Sequence, residues 1–314
     1  MFEIKEYSAS DRLRWNDFVN KSKNGTFLFN RDYMDYHSDR FKDHSIMVLR
    51  KGALYALLPA NLSGKQLYSH QGLTYGGLIM SSKASTSEIV EVFKHINEHL
   101  KSEGIESVIY KPTPYIYHKM PSQEDLYALY RLTNARIVAR NISSAIYQGT
   151  KMKFTESRKS GIRKALKAGL MIKEGSDYTQ FWEILCDNLM SNHNVTPVHS
   201  LEEITLLAGL FPNRIRLYLV ENGCGNILGG TVVYEANEQV IHTQYISASP
   251  EGKALGALDL LFDYLINVKY TGISVFDFGQ STENMGKILN ENLVFQKEGF
   301  GGRGVIYDIY EYNL

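Results

Sequence analysis

His242 is the side chain of this sequence best suited to moving a proton at neutral pH. It sits in Val240-Ile-His-Thr-Gln-Tyr-Ile-Ser-Ala, whose branched and aromatic residues predict a strand. Strict alternation puts His242, Gln244 and Ile246 on one face of that strand and Thr243, Tyr245 and Ser247 on the other. Imidazole titrates near neutrality, so His242 can act as a general base. The phenol of Tyr245 can donate a proton to a departing thiolate or hydroxyl. A strand histidine is also commonly a hydrogen-bonded structural residue, and one tyrosine among 21 is not distinctive. Asp277, between Phe276 and Phe278, either orients an amine in a cleft or caps a following helix.

Two further segments can hold an anion. After the His242 strand comes Ser249-Pro-Glu-Gly-Lys-Ala-Leu-Gly, a polar turn opening a helix whose buried stripe is Leu255, Leu258, Phe262, Leu265 and Ile266. The unpaired N–H groups of a helix's first turn bind phosphates, which makes Glu251, Gly252, Lys253, Ala254, Leu255 and Gly256 the candidate cradle. Gly252 and Gly256 equally suit a tight turn and close packing. Upstream, Lys159, Arg163 and Lys167 follow one another at i, i+4 and i+8 on a helix predicted after Thr155. Like charges at that spacing repel by roughly 0.2–0.5 kcal/mol per pair, so they either clamp a phosphate or form a solvated face paired with acidic side chains. In the first half, Tyr68, His70 and Lys111 lie in Gly-, Pro- and Tyr-rich segments at strand ends. These are either ordinary turns or an acceptor-binding wall.

The elements that must position these residues occur twice. Asp11 and Trp15 are echoed by Asp177, Phe181 and Trp182; His44–Leu49 by Asn213–Val220; Gln66–His70 by Gln239–Thr243; and Gly104–Tyr110 by Gly272–Phe278, a period of about 168 residues. Solenoid repeats run to roughly 20–50 residues, so this is a duplicated domain fold. In the first half the patterns predict a strand at 2–7, helices at 10–21, 31–39 and 86–102, and strands near 45–50, 53–60, 66–70, 105–110 and 135–148. In the second half they predict helices at 177–192, 201–210, 254–268 and 283–291, with strands at 214–220, 227–236, 239–247, 273–278, 294–297 and 305–312. The expected architecture is α/β, a mixed sheet flanked by helices in each half. Its expected divisions are an N-terminal domain over 1–150, a basic linker helix over 151–170 and a C-terminal domain over 171–314.

Bulk properties narrow the classes. Lys plus Arg and Asp plus Glu both number 34 in 314 residues, so no global field recruits nucleic acid or anionic membrane. No apolar run approaches the roughly 20 residues of a membrane helix, and the N-terminus lacks a signal pattern, so no membrane insertion and a cytoplasmic location are expected. Cys186 and Cys224 lack metal-ligand spacing, and no metal is expected.

The strand-turn-helix at 240–268, the segment Phe276-Asp-Phe-Gly-Gln-Ser-Thr-Glu-Asn-Met-Gly-Lys and the segment Phe295-Gln-Lys-Glu-Gly-Phe-Gly-Gly-Arg resemble the C-terminal half of tandem-GNAT proteins. That group includes Fem-type aminoacyltransferases of cell-wall peptide bridges and related acetyltransferases of polysaccharide and cell-envelope pathways. Ser157-Arg-Lys-Ser-Gly-Ile-Arg-Lys-Ala-Leu-Lys-Ala-Gly is similar to the basic segment before the second domain in that group. The resemblance implies two GNAT-like domains in tandem, and two strands that splay apart around an acyl donor. It also implies an acyltransferase that transfers an acetyl or other acyl group from acyl-CoA to an amino sugar or cell-envelope precursor. Direct acyl transfer asks of the protein a base for the acceptor, a polarised carbonyl and positioning. In that frame His242, Tyr245 and Asp277 are the catalytic candidates, and residues 251–256 hold the CoA pyrophosphate. Lys159, Arg163, Lys167, Tyr68, His70, Lys111, Gln244, Ser281 and Arg303 are the substrate-binding candidates. The sequence departs from the phosphate loop of acetyl-CoA users, with Lys253, Gly256 and Leu258 at its positions. An aminoacyl-tRNA donor therefore stays open, as does a binding module without catalysis.

Overall fold

The computed structural model describes residues 2–314, apart from the side chains of residues 192 and 193. The chain forms two compact units. One contains residues up to 142 together with 282–288 and 305–314; the other contains 143–281 and 289–304. The expected halves run consecutively along the sequence, whereas these units are discontinuous, and the basic helix Glu156–Lys167 lies inside the second. The cause is the final strand, Arg303–Asn313, which pairs antiparallel with Ser107–Tyr110 and buries Tyr312 in the first unit's core.

In the first unit Phe2–Glu6, Ile46–Arg50, Ala53–Leu58 and Ile79–Met80 form an antiparallel ladder in that order. The helix Thr86–Ser102 buries Ile89, Val92, Phe93, Ile96 and Leu100 in the core to which Phe2, Ile46 and Val48 belong, the stripe its periodicity predicts. In the second unit Met171–Gly175, Ile215–Glu221, Ile227–Glu235 and Val240–Ala248 form the same kind of antiparallel run. Each unit then adds a parallel pair. Gln66, Leu67 and Tyr68 face Ser107, Val108 and Ile109 in the first; Val240, Ile241 and His242 face Val275, Phe276 and Asp277 in the second. The ladders equate Tyr68 with His242, one residue away from the register of the sequence echo.

Several expected elements differ. Residues 294–297 are helical, within Glu291–Gly299, because Asn290 caps that helix by accepting from the Leu293 N–H at 3.1 Å. That cap overrides the strand propensity of Val294 and Phe295. The helix expected at 283–291 is instead a two-stranded ribbon around a 3-10 turn, since Asn284, Met285 and Gly286 take φ of 47°, 55° and 88°. A right-handed helix has no place for such angles. The helix expected at 254–268 begins at Pro250, breaks at Gly256 and resumes over Ala257–Tyr264. Gly256 has φ 79°, and a Cβ there would lie 2.5 Å from the carbonyl oxygen of Gly161, so the break lets the basic helix pack closely. The helix expected at 31–39 is α-helical only over Arg31–Met34 before a 3-10 turn. The helix Glu124–Leu132 and the strand Met171–Gly175 had no counterpart in the sequence reading.

Candidate active site

The parallel pair of the second unit stays in register for three residue pairs and ends at His242 opposite Asp277. Beyond that point Val240–Ala248 continues without this partner, while the neighbouring strand turns at Gly279, whose φ is 75°. The two strands therefore fork, and the last rung before the fork is a histidine and an aspartate.

Their side chains meet. His242 Nδ1 lies 2.8 Å from Asp277 Oδ2, with Asp277 fully buried and His242 largely so. The other carboxylate oxygen accepts from the hydroxyl of Ser143, on the strand Arg136–Tyr147, and from the Gly279 N–H at 3.2 Å. A buried carboxylate with three donors is held rigidly and keeps its acceptor character. It fixes the imidazole with Nδ1 as donor, which makes Nε2 the accepting nitrogen; this tautomer follows from the hydrogen-bond network. Gly279 makes room for the ring, since a Cβ there would stand 3.0 Å from His242 Cε1.

Lys297 supports the same corner. From the helix Glu291–Gly299 its ammonium donates to Gly279 O at 2.8 Å, Gln280 O at 2.9 Å and Ser281 Oγ at 2.8 Å. It is 3 % exposed, and burial lowers its pKa to about 8 although the Asp277 carboxylate pulls the other way. Ser281, expected to bind substrate, is thus a buried acceptor for this lysine. Sequence reasoning missed Lys297 because its segment reads as a strand, and it missed Ser143, which nothing local distinguishes.

The face assignment of the His242 strand changes at Gln244. Val232 pairs with Tyr245 but Val233 pairs with Thr243, so Gln244 is the extra residue of a β-bulge. Ile241 and Ile246 consequently both join the apolar cluster beneath Ala257–Tyr264, leaving His242 and Tyr245 on the opposite side. The hydroxyl of Tyr245 nevertheless engages His199, with Nδ1 at 2.5 Å and the backbone N–H at 3.2 Å, and its ring packs on Trp182.

The turn after the strand is closed upon itself. Ser249 Oγ accepts from the Gly252 N–H at 3.1 Å, Ser249 O accepts from the Lys253 N–H at 2.9 Å, and Pro250 has no N–H to offer. Gly252 is pressed against the backbone of Leu228, and the Lys253 ammonium donates to Asn188 at 2.5 Å. On the basic helix, Arg163 and Lys159 lie 2.6 Å and 3.9 Å from Glu156, all three exposed, and Lys167 is exposed at its last turn. Arg158, absent from the expected set, is the arginine that turns inward, pairing with Asp259 at 2.7 Å and covering Phe300. Arg303 donates to the adjacent Gly302 carbonyl. In the first unit the Tyr68 hydroxyl donates to Gln66, and Lys111 donates to Leu73 O at 2.5 Å with its pKa lowered to about 8 by burial. His70 is buried in left-handed backbone, and burial beside His37, Lys111 and Arg31 lowers its pKa to about 3.

This architecture, a mixed α/β sheet fold in two copies, is the fold of FemX and of tandem GNAT proteins. FemX superposes with a TM-score of 0.71 at 12% identity over 99% of this chain and 97% of its own. L-PGS from Bacillus licheniformis gives 0.64 at 13% identity over 99% and 93%. A tandem GNAT protein from the clavulanic acid biosynthesis pathway gives 0.50 at 11% over 100% and 98%. No protein-family model and no curated protein sequence matches the chain. Among the described residues no helix is long and apolar enough to cross a membrane.

Proposed function

We propose that this chain is an acyltransferase that forms an amide between an activated acyl group and an acceptor amine, with His242 as the general base. The reading rests on one observation: a histidine backed by a buried, three-donor carboxylate occupies the last rung before the strands fork. His242 Nε2 takes a proton from the acceptor amine as its nitrogen attacks the acyl carbonyl. A C–N bond forms, the bond from acyl carbon to the donor oxygen or sulfur breaks, and the departing atom takes that proton from the imidazolium, returning His242 to its neutral form. Asp277 holds the ring and stabilises the imidazolium, as the carboxylate does in other base-orienter pairs. The acceptor class is an amino sugar or a cell-envelope precursor.

For the donor, the closed turn favours an aminoacyl ester on tRNA over acyl-CoA. A pyrophosphate cradle needs several outward N–H groups, and here Pro250 has none, Ser249 Oγ occupies that of Gly252 and the Ser249 N–H donates to Leu228 O.

The test is an amide-forming assay with the purified protein, using charged tRNA or acetyl-CoA as donor and a panel of nucleotide-linked amino sugars and peptides as acceptors. Transfer from charged tRNA is expected, and His242→Ala should lower its rate by roughly 100- to 10,000-fold, the usual worth of a general base. Full activity in that variant would remove His242 from the mechanism. Transfer from neither donor by folded protein would leave a binding module on the same fold.

A further inference from the structure

Three elements of the first unit, none of which carries a residue of the candidate active site, end at a common point. Glu6 closes the edge strand Phe2–Glu6, on the face whose preceding alternate residues, Phe2 and Ile4, pack into the core with the helix Thr86–Ser102. His99 lies in the last turn of that helix, and Glu103 is its C-terminal cap. His44 leads into the neighbouring strand Ile46–Arg50, in which Ile46 stands opposite Glu6.

Ligand atoms of Glu6, His99 and Glu103 all lie within 4.8 Å of one another, and among the described residues no other three His, Cys, Asp or Glu side chains gather so closely. The two oxygens of Glu103 have different neighbours. His99 Nε2 is 3.5 Å from Oε1, while His44 Nε2 is 2.9 Å from Oε2. His99 Nε2 is also shielded from solvent and makes no hydrogen bond. A shielded nitrogen that meets Glu103 only as a 3.5 Å ion-pair neighbour, without a hydrogen bond, is a polar atom that a bound ion would satisfy.

We propose that Glu6, His99 and Glu103 bind one divalent first-row transition ion, with His44 orienting Glu103 from outside. One imidazole nitrogen with two carboxylate oxygens suits Zn²⁺ or its neighbours better than Ca²⁺ or Mg²⁺, which prefer all-oxygen sets. Three protein ligands leave a coordination position for water. The negative end of the helix dipole favours a cation there. His44, donating to Glu103 Oε2, leaves Oε1 to the metal, the usual way a neighbouring group aims a ligating carboxylate. The ion would clip the edge strand to the end of the helix.

The experiment is calorimetric titration of Zn²⁺ into untagged, chelator-stripped full-length protein, with thermal unfolding measured alongside and Co²⁺ absorption to report inner-shell ligands. One Zn²⁺ per chain and a raised melting temperature are expected. His99→Ala and Glu6→Gln should abolish binding, the latter at an exposed strand end where the fold is not at risk. His44→Ala should weaken binding by about 10- to 100-fold, as losses of orienting partners do. His95→Ala, one turn earlier on the same helix, should change nothing. Absence of Zn²⁺ uptake by the folded wild type, or uptake unaltered in Glu6→Gln and His99→Ala, overturns the proposal and leaves an ordinary ion-pair cluster.

Discussion

Lys297 is a cation placed where water does not reach, and three oxygens hold its charge. Its folded-state pKa of about 8 lies below the ordinary lysine value of 10.5, so between them the unfolded chain keeps a proton that the folded chain has released. The contribution of this group to stability therefore rises with pH across that window and is flat below it. Urea unfolding of the wild type and of Lys297→Met from pH 7 to 10.5 should show the difference moving in favour of the wild type, by on the order of 2–3 kcal/mol. Parallel pH curves would mean that the amine is solvated. At this scale the sequence was half legible. His242 and Asp277 stood out as residue types, but their partnership depends on a parallel register between segments 35 positions apart. Ser143 and Lys297 come from two other elements, and no spacing rule links them to His242. Tyr245 was read from its chemistry alone, whereas its environment turns the hydroxyl toward His199.

Periodicity identified the long helices well, because Thr86–Ser102 bury one continuous stripe. It misread elements governed by single backbone positions, such as the positive-φ turn at 284–286 and the bulge at Gln244, where one extra residue moves the rest of a strand to its other face. The basic helix Glu156–Lys167 is intermediate. Its start followed from Thr155, but the arginine that packs inward is Arg158, and the expected trio faces outward, with Glu156 as the acid of Lys159 and Arg163. Exposed pairs of that kind contribute little to stability, so Lys159 and Arg163 can exchange Glu156 for phosphates at small cost. Changing Lys159, Arg163 and Lys167 together to Gln should leave the melting temperature within a degree or two. If the donor is a charged tRNA, the same change should weaken tRNA binding and reduce the slope of log affinity against log salt by about 2, the value for roughly three phosphate contacts. Filter binding at several salt concentrations measures both. An unchanged slope would assign the trio to the solvated surface.

Across the whole molecule, the duplication legible in the sequence is real as topology, since each unit builds an antiparallel run followed by a parallel pair of three rungs. What repeats cannot reveal is which strands cross back. The first unit's core contains Tyr312 beside Phe93, and its Ser107–Tyr110 strand takes residues 310–313 as a neighbour. A fragment of residues 1–150 should consequently fail to fold, giving a poorly dispersed amide spectrum, and a peptide spanning 303–314 should restore dispersion when added in trans. Good dispersion of the fragment alone would show that the returning strand is dispensable. The same pairing sets a schedule for synthesis. Tyr110 waits for Tyr310, 200 positions later, which at roughly 5–20 residues per second is on the order of 10–40 s of elongation. During that interval a strand edge of the first unit stands open beside a growing chain that contains other strands able to occupy it. The nascent protein is therefore exposed to mispairing until residues 310–313 emerge, and slowing translation between residues 110 and 310 should cost soluble yield more than slowing it before residue 110.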